Sequence, residues 1–252
     1  MKCTIDAQIF ERFPDFNLGL VAMKGIDNLV PDRDIEAFLR HASLEAGLLL
    51  KLKPLAADRG VQSYREALAR GGMDGVPSME RTLRALGEGI VREASAPAAR
   101  GPGSVTGLIG DTALPRLNAA KDLARGAELQ FRIPVFAFDM GDESAALAVR
   151  AAGEGDRFLT ADGAEETPEA GEVLFAFGRE AAVRRFFCDE GRTGAVTPDT
   201  RNILFALPCF TATRRKAMSV RNELARRMKD SFGRTAETAW LDAETPDFVS
   251  QI

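Results

Sequence analysis

The chain has 252 residues, of which 45% are hydrophobic and 28% are charged, and its formal net charge is −4. This ordinary globular composition excludes a disordered, coiled-coil or collagen-like chain, and the length suffices to bury a core without disulfides or structural metals. The negative charge argues against a protein whose whole surface binds nucleic acid, although a local basic patch is compatible with it.

The sequence predicts a cytoplasmic protein without cofactors. The N-terminal stretch is interrupted by Asp6, Glu11 and Arg12, so it lacks the apolar segment of a secretory signal. No apolar run reaches the roughly 18 residues that a membrane span needs, and we expect no membrane partner. With one histidine and three scattered cysteines, the chain has no zinc-ligand spacing and no disulfide framework, so no metal site is predicted.

The N-terminal part is expected to contain two strands followed by three helices. Alternation over 4–10 and an apolar run over 17–26 predict the strands. A helix from Asp32 should bury one apolar face, and a second helix covers 62–69. A third helix is predicted to begin after an N-cap at Ser78 and to end at Leu86. The buried positions of the first helix are predicted to be Ile35, Phe38, Leu39, Ala42 and Ala46.

The rest of the chain is dominated by strands. After a long loop at 96–110, strands are predicted at 130–138, 145–152, 172–177, 181–188 and 202–207. A final helix over 212–231 should bury its apolar face, and the acidic segment after Gly233 is expected to be loosely attached. That apolar face comprises Ala217, Val220, Leu224 and Met228.

Helices followed by many short strands indicate an α+β fold rather than alternating βαβ units. We expect β-sandwich-like sheets flanked by helices in one compact unit over 1–233. Its parts are a helical region at about 30–90, a strand-rich region at about 110–210 and the helix at 212–231, with an acidic tail at 234–252.

The usual catalytic motifs are not found in the sequence. It contains no GxSxG, Walker loop or GxGxxG leading into a helix, and the glycine-rich segment 101–110 lacks the Lys-Ser/Thr ending of a phosphate loop. His41 stands inside the first long helix, where a surface histidine is favoured over a catalytic one. Hydrolysis would therefore depend on a carboxylate, on backbone amides or on the substrate itself.

Several segments occur in the order seen in one known family. AKDLARG is followed by PVFAFD, with nine residues from Arg125 to Pro134, and further matches lie at 149–163, at Asp189-Glu190 and at 200–205. The chain resembles the editing module of the bacterial phenylalanyl-tRNA synthetase β subunit over about 60–210. The segments PSMERTLRALGEG (77–89) and LPRLN (114–118) are more similar to stand-alone relatives of that module, often described as tRNA-binding-domain proteins.

The resemblance implies a pocket that holds the amino acid of an aminoacyl-tRNA. Glu190 occupies the place of the glutamate that recognises the hydroxyl of tyrosine, and a site built for a hydroxyl rejects the analogue that lacks it. Arg125 replaces the family's asparagine and Phe136 its histidine, which indicates a ligand other than tyrosine. The implied pocket residues are Arg125, Pro134, Phe136, Ala137, Asp139, Glu190 and Thr200.

Simpler structural roles remain open for several of these residues. Glu190 and Asp139 are equally compatible with turn positions. Asp122 and Arg125 are three residues apart and are compatible with a surface helical pair. Arg184 and Arg185 would point to opposite faces of a strand.

The last predicted helix is basic within an acidic protein. An RNA backbone contact and a solvated helix face are both compatible with this pattern. The candidate RNA contacts are Arg214, Arg215, Lys216, Arg221, Arg226 and Arg227.

These observations lead to three functional hypotheses. The first is a stand-alone protein that binds tRNA and hydrolyses misacylated aminoacyl-tRNA, using water and the terminal hydroxyl of the tRNA, without charging tRNA itself. The second is a non-catalytic module that binds a free amino acid or a small polar metabolite. The third is RNA binding through the basic helix alone. No catalytic side chain is assigned, and DNA is not an expected partner.

Overall fold

The computed structural model describes residues 1–29, 32–52, 54–73, 75–77, 79–86, 114, 116–141 and 145–251. Within these residues, six α-helices are formed: α1 (Ala7–Arg12), α2 (Arg33–Leu52), α3 (Arg59–Arg70), α4 (79–86), α5 (Ala119–Phe131) and α6 (Arg214–Phe232). The strands of the same residues are β1 (Lys2–Ile5), β2 (Phe16–Met23), β3 (Phe136–Asp139), β4 (Ala146–Ala151), β5 (Arg157–Leu159), β6 (Glu165–Glu166), β7 (Val173–Phe177), β8 (Glu180–Arg184), β9 (Asp189–Glu190), β10 (Ile203–Phe210), β11 (Glu237–Leu241) and β12 (Asp247–Val249).

The described strands form two sheets. The larger has the order β12-β1-β4-β7-β8-β5-β6, with β9 paired to β8, and the smaller has the order β11-β2-β10-β3. The β1–β4 and β5–β8 pairs are parallel, and the others are antiparallel. The predicted α+β class is therefore confirmed.

An aromatic core lies between the two sheets. Phe136 and Phe138 alternate with Ala137 on β3, so both rings leave the same face of the smaller sheet. Their centroids lie 5.6 and 5.2 Å from the ring of Phe175 on the larger sheet. Phe187 closes this cluster at 4.6 Å from Phe175. Burial of these rings holds the sheets face to face.

Helices α2, α5 and α6 cover the opposite face of the smaller sheet. On β10, Phe205 and Leu207 belong to the core beneath these helices, whereas Leu204 and Ala206 belong to the core between the sheets. The apolar faces predicted for α2 and α6 are all buried, which confirms both periodicities.

Two predicted strands are wrong in part, because some of their residues form helices. Residues 7–10 belong to α1, because Ile9 and Phe13 are both buried at a helical spacing of four. Residues 130 and 131 belong to α5, which ends where Arg132 adopts a left-handed conformation with φ 52°. Of the predicted strand 130–138, only residues 136–138 belong to a strand, β3.

The segment after Gly233 is not loosely attached, contrary to expectation. β11 pairs with β2 and β12 pairs with β1, so this segment contributes a strand to each sheet. Backbone pairing and the buried side chain of Leu241 outweigh its acidic composition. The predicted N-cap Ser78 and the predicted loop 96–110 lie outside the described residues. Among the described helices, none is long and apolar enough to cross a membrane.

Candidate functional site

Helix α5 carries a stripe of charge on one of its faces. It begins where the Asn118 side chain accepts a hydrogen bond of 3.0 Å from the backbone N–H of Lys121, an ordinary N-cap. Lys121, Arg125 and Glu128 then follow at intervals of four and three residues, which places all three along one face. Two cations and a carboxylate thus point in one direction from this helix.

Strand β9 carries Glu190 towards this stripe. Arg81 of α4 donates a hydrogen bond of 2.8 Å to Asp189 and a second, short one to the carbonyl of Cys188. After Glu190, Gly191 has no room for a side chain, because an added Cβ would lie 2.6 Å from the carbonyl oxygen of Leu159. The position of Glu190 is therefore fixed on both sides.

An unusual turn connects β8 to β9. Arg185, Phe186 and Phe187 all have positive φ, at 52°, 51° and 69°. Left-handed backbone costs about 1–2 kcal/mol for each such residue. Ring contacts offset this cost, because Phe186 lies 4.6 Å from Phe13 and Phe187 is buried in the aromatic core. The predicted strand 181–188 therefore ends at Arg184, and strain is concentrated just before Glu190.

Glu190 is exposed to solvent and lies near charged groups of two helices. Its pKa is raised above the ordinary value, chiefly by loss of hydration, while the charges of Lys121 and Arg81 oppose that shift. The carboxylate is thus accessible, and its charged form is destabilised. Such carboxylates cluster at functional sites.

Glu128 is the second carboxylate of this cluster. It is 6% exposed, and its pKa is raised to about 8, chiefly by burial and next by the charge of the nearby Glu190. The backbone N–H of Val135, Arg125 and Arg81 act in the opposite direction. The folded protein therefore holds this carboxyl largely protonated at neutral pH.

The two carboxylates, with Lys121, Arg125 and Arg81, form what we call the charged site. Its cations suit a carbonyl, carboxylate or phosphate oxygen, and its carboxylates suit an ammonium or a water molecule that must lose a proton. Sequence reasoning identified Arg125 and Glu190 but missed Glu128, Lys121 and Arg81. The signal available in the sequence was the spacing of Lys121, Arg125 and Glu128, which places all three on one face of a helix.

The predicted pocket residues on and next to β3 have different surroundings. Pro134 is buried and precedes Val135, whose backbone N–H interacts with Glu128, and contact of Pro134 with a ligand stays a prediction. Phe136 is 1% exposed in the aromatic core, and Ala137 points to the opposite face of the strand. Ligand contact by these two residues stays a prediction.

Asp139 is the last residue of β3, and Thr200 lies beside it. Asp139 follows Val135 by four residues, which is about 13 Å of extended chain. The Thr200 hydroxyl donates a hydrogen bond of 2.6 Å to Asp139, which also accepts 2.8 Å from the backbone N–H of Gly141. These bonds favour the turn role that was open for Asp139. Contact of either residue with the same ligand as Glu190 stays a prediction.

Asp122 and Arg184 are both buried, so neither belongs to a pair of exposed side chains. Asp122 is fully buried and accepts 3.1 Å from the backbone N–H of Leu117, so its 4.0 Å contact with Arg125 is not an exposed pair. Arg184 is buried and bonds Glu172 at 2.7 Å, whereas Arg185 is exposed.

The basic face of α6 is largely engaged within the protein. Arg226 lies 2.7 Å from both Glu223 and Asp230, and Arg227 lies over the ring of Phe38 at 3.6 Å. These contacts neutralise or cover part of the predicted RNA surface.

At the start of α6, Arg214 and Arg221 lie over the ring of Trp240 at 5.2 and 5.9 Å. Lys216 is half-buried and Arg215 is exposed. An RNA contact by this helix stays a prediction, and Arg215 is an exposed cation of the predicted set.

The residues that line the cleft beside His41 do not include any residue of the charged site. It is exposed on α2 and lines a cleft of about 360 Å³ together with Asp34 and Asp230. Among the described residues, no group of three or more histidine, cysteine, aspartate or glutamate side chains is arranged to hold a metal ion. The three cysteines are buried and unbonded.

A solved structure of a synthetase fragment is a weak structural neighbour of this chain. No family model matches the chain, and no curated protein matches it. Among solved structures, an N-terminal fragment of the phenylalanyl-tRNA synthetase β subunit from Pyrococcus horikoshii is similar, with a TM-score of 0.39 and 10% identity. The alignment covers 94% of this chain and 49% of that one, so this chain spans about half the length of the fragment. Similarity at this level assigns no function.

Proposed function

We propose that the chain binds the aminoacyl end of a tRNA in the charged site and hydrolyses its ester bond. The observation that carries this proposal is Glu190, an accessible carboxylate of raised pKa beside Lys121 and Arg81. The order of the sequence segments that resemble the synthetase editing module supplies the choice of tRNA as the carrier.

In the proposed reaction, Glu190 accepts a proton from a water molecule. The water oxygen bonds to the carbonyl carbon of the aminoacyl group, and the bond from that carbon to the ribose oxygen breaks. The ribose oxygen takes the proton back from Glu190, so the products are a free amino acid and an uncharged tRNA. Arg125 and Lys121 would stabilise the negative charge that develops on the carbonyl oxygen.

A second candidate function is binding of a free amino acid without turnover. Arg125 supports it, because a guanidinium is best matched by a full carboxylate, which a free amino acid has and an ester lacks. In this case the protein would bind amino acids but release no tRNA.

Glu190→Gln is expected to lower deacylation by a factor of about 10²–10⁴, the usual contribution of a positioned general base. The measurement is release of amino acid from a panel of aminoacyl-tRNAs, each bearing one of the twenty amino acids. Because the pKa of Glu190 is raised, wild-type activity should increase with pH in a range above that of an ordinary glutamate.

Glu165→Gln is the matched control, because Glu165 is exposed on β6 and outside the charged site. It should retain full activity. Deacylation by Glu190→Gln at the wild-type rate would remove this residue from the reaction. Binding of free amino acids, without deacylation of any tRNA in the panel, would establish the second candidate instead.

Arg215→Glu is expected to weaken binding of all tRNAs to a similar extent if α6 contacts the RNA backbone, since phosphate contacts carry no sequence information. The logarithm of wild-type affinity should fall with the logarithm of salt concentration by about 0.7 for each single-strand phosphate contact. Arg59→Glu makes the same change of charge at an exposed position of α3 and serves as the control. Equal tRNA affinity in the two variants would show that Arg215 has no specific role, and equality with wild type would exclude its backbone contact.

A further inference from the structure

Arg125 and Glu128 present opposite charges on one face of α5, three residues apart. At this spacing their Cβ atoms are about 5–6 Å from each other. An α-amino acid likewise carries its ammonium and its carbonyl group on a single carbon atom. The pair is therefore complementary to the backbone part of an amino acid, whatever its side chain.

Glu128 is a buried acidic side chain that could bind a cation. The residue is 6% exposed. It accepts the backbone N–H of Val135, and the ion pairs of the described residues do not include it. Buried carboxylates are normally paired, because loss of hydration without a counter-charge is costly. The burial of Glu128 beside the part-buried Arg125 therefore needs an explanation that packing does not supply.

We propose that Glu128 binds the α-ammonium of the ligand and restricts the charged site to amino acids whose amino group is free. This inference rests on the proposed function, because it requires an aminoacyl or amino-acid ligand in that site. Arg125 would contact the carbonyl or carboxylate of the same ligand. N-acylated amino acids would be rejected, because they would leave the buried Glu128 without its partner.

Binding through Glu128 exchanges a proton for the ligand's ammonium. Among the described residues, the titratable and charged groups that act on Glu128 are Glu190 from β9, Arg81 from α4, Arg125 on its own helix and Tyr64 from α3. Tyr64 stays neutral, since burial raises its pKa well above the ordinary value. The unliganded carboxyl holds its proton up to about pH 8, so the ligand must displace that proton into solvent.

The sign of the pH dependence follows from this exchange. Affinity should rise about tenfold for each unit of pH below about pH 7, because Glu128 and the ligand's α-ammonium are both protonated there and one proton is released per ligand bound. Glu128→Gln carries no such proton, so this part of the pH dependence should vanish in the variant.

The test uses stable amides of 3′-amino-3′-deoxyadenosine with each amino acid, in free and N-acetylated forms. Titration calorimetry of the wild-type chain at pH 7, in two buffers of different ionisation enthalpy, should show release of close to one proton. Wild type should bind the free forms at least about 30-fold more tightly than the acetylated ones. Glu128→Gln should lose most of that preference and the released proton, whereas Glu165→Gln should retain both.

The possible failures are distinguishable. If wild type binds acetylated and free forms equally, or binds without releasing a proton, the role of Glu128 is wrong and ligand binding in the site still stands. These two measurements need no variant, so a failure of Glu128→Gln to fold does not protect the inference. If wild type binds none of these compounds and no free amino acid, the proposed function fails, and the role of Glu128 fails with it.

Discussion

Glu128→Gln is expected to make the protein more stable than wild type at alkaline pH, by up to about 5 kcal/mol at pH 9. The folded chain holds the Glu128 proton up to about pH 8, whereas a glutamate of ordinary pKa, 4.5, releases it far earlier. Folding therefore takes up a proton between these values, so wild-type stability falls as the pH rises through this window. Glutamine stays neutral and has nearly the same shape as the protonated acid.

The measurement is the free energy of unfolding in urea between pH 5 and pH 9. Near pH 5 the two proteins should differ little, and their difference should widen up to about pH 8. The exposed Glu165→Gln variant should follow the wild-type curve throughout. Parallel curves for wild type and Glu128→Gln would mean that Glu128 is ionised in the folded protein at neutral pH.

A stability cost of this kind is informative about function. A buried, unpaired carboxyl is a burden that an apolar residue of similar size would remove. Proteins retain such groups mainly where a ligand or a reaction needs them, at the expense of stability. The predicted gain of Glu128→Gln and its predicted loss of ammonium binding are therefore two consequences of one arrangement.

Helical periodicity was the most reliable guide to the fold. The faces of α2 and α6 were predicted residue by residue, because long amphipathic helices repeat their signal over several turns. Helix α1 was missed because it is six residues long, too short for period 3.6 to be told from period 2. The pairing of β11 with β2 was missed because an edge strand is defined by its partner as much as by its own residues.

The charged site was only partly predictable for a related reason. Arg125 and Glu190 were found through segments that resemble a known family, whereas Glu128 is not among the pocket residues that the resemblance implies. Its role depends on how deeply α5 is buried and on β9 lying beside it. Both are consequences of tertiary packing, and a single sequence does not report them.

Phe136→Ala is expected to destabilise the protein by about 3–5 kcal/mol, the usual cost of removing a buried aromatic ring and leaving a cavity. The sequence predicted this residue in a ligand pocket, but its ring is 1% exposed and lies 5.6 Å from Phe175 and 6.1 Å from Phe187. The free energy of unfolding in urea measures the effect, and Phe131→Ala, at a half-buried position near the end of α5, should cost less. Phe136→Leu should recover much of the loss, because it refills most of the volume. A loss below about 1 kcal/mol for Phe136→Ala, with altered ligand affinity, would instead place this ring in an open pocket as the sequence predicted.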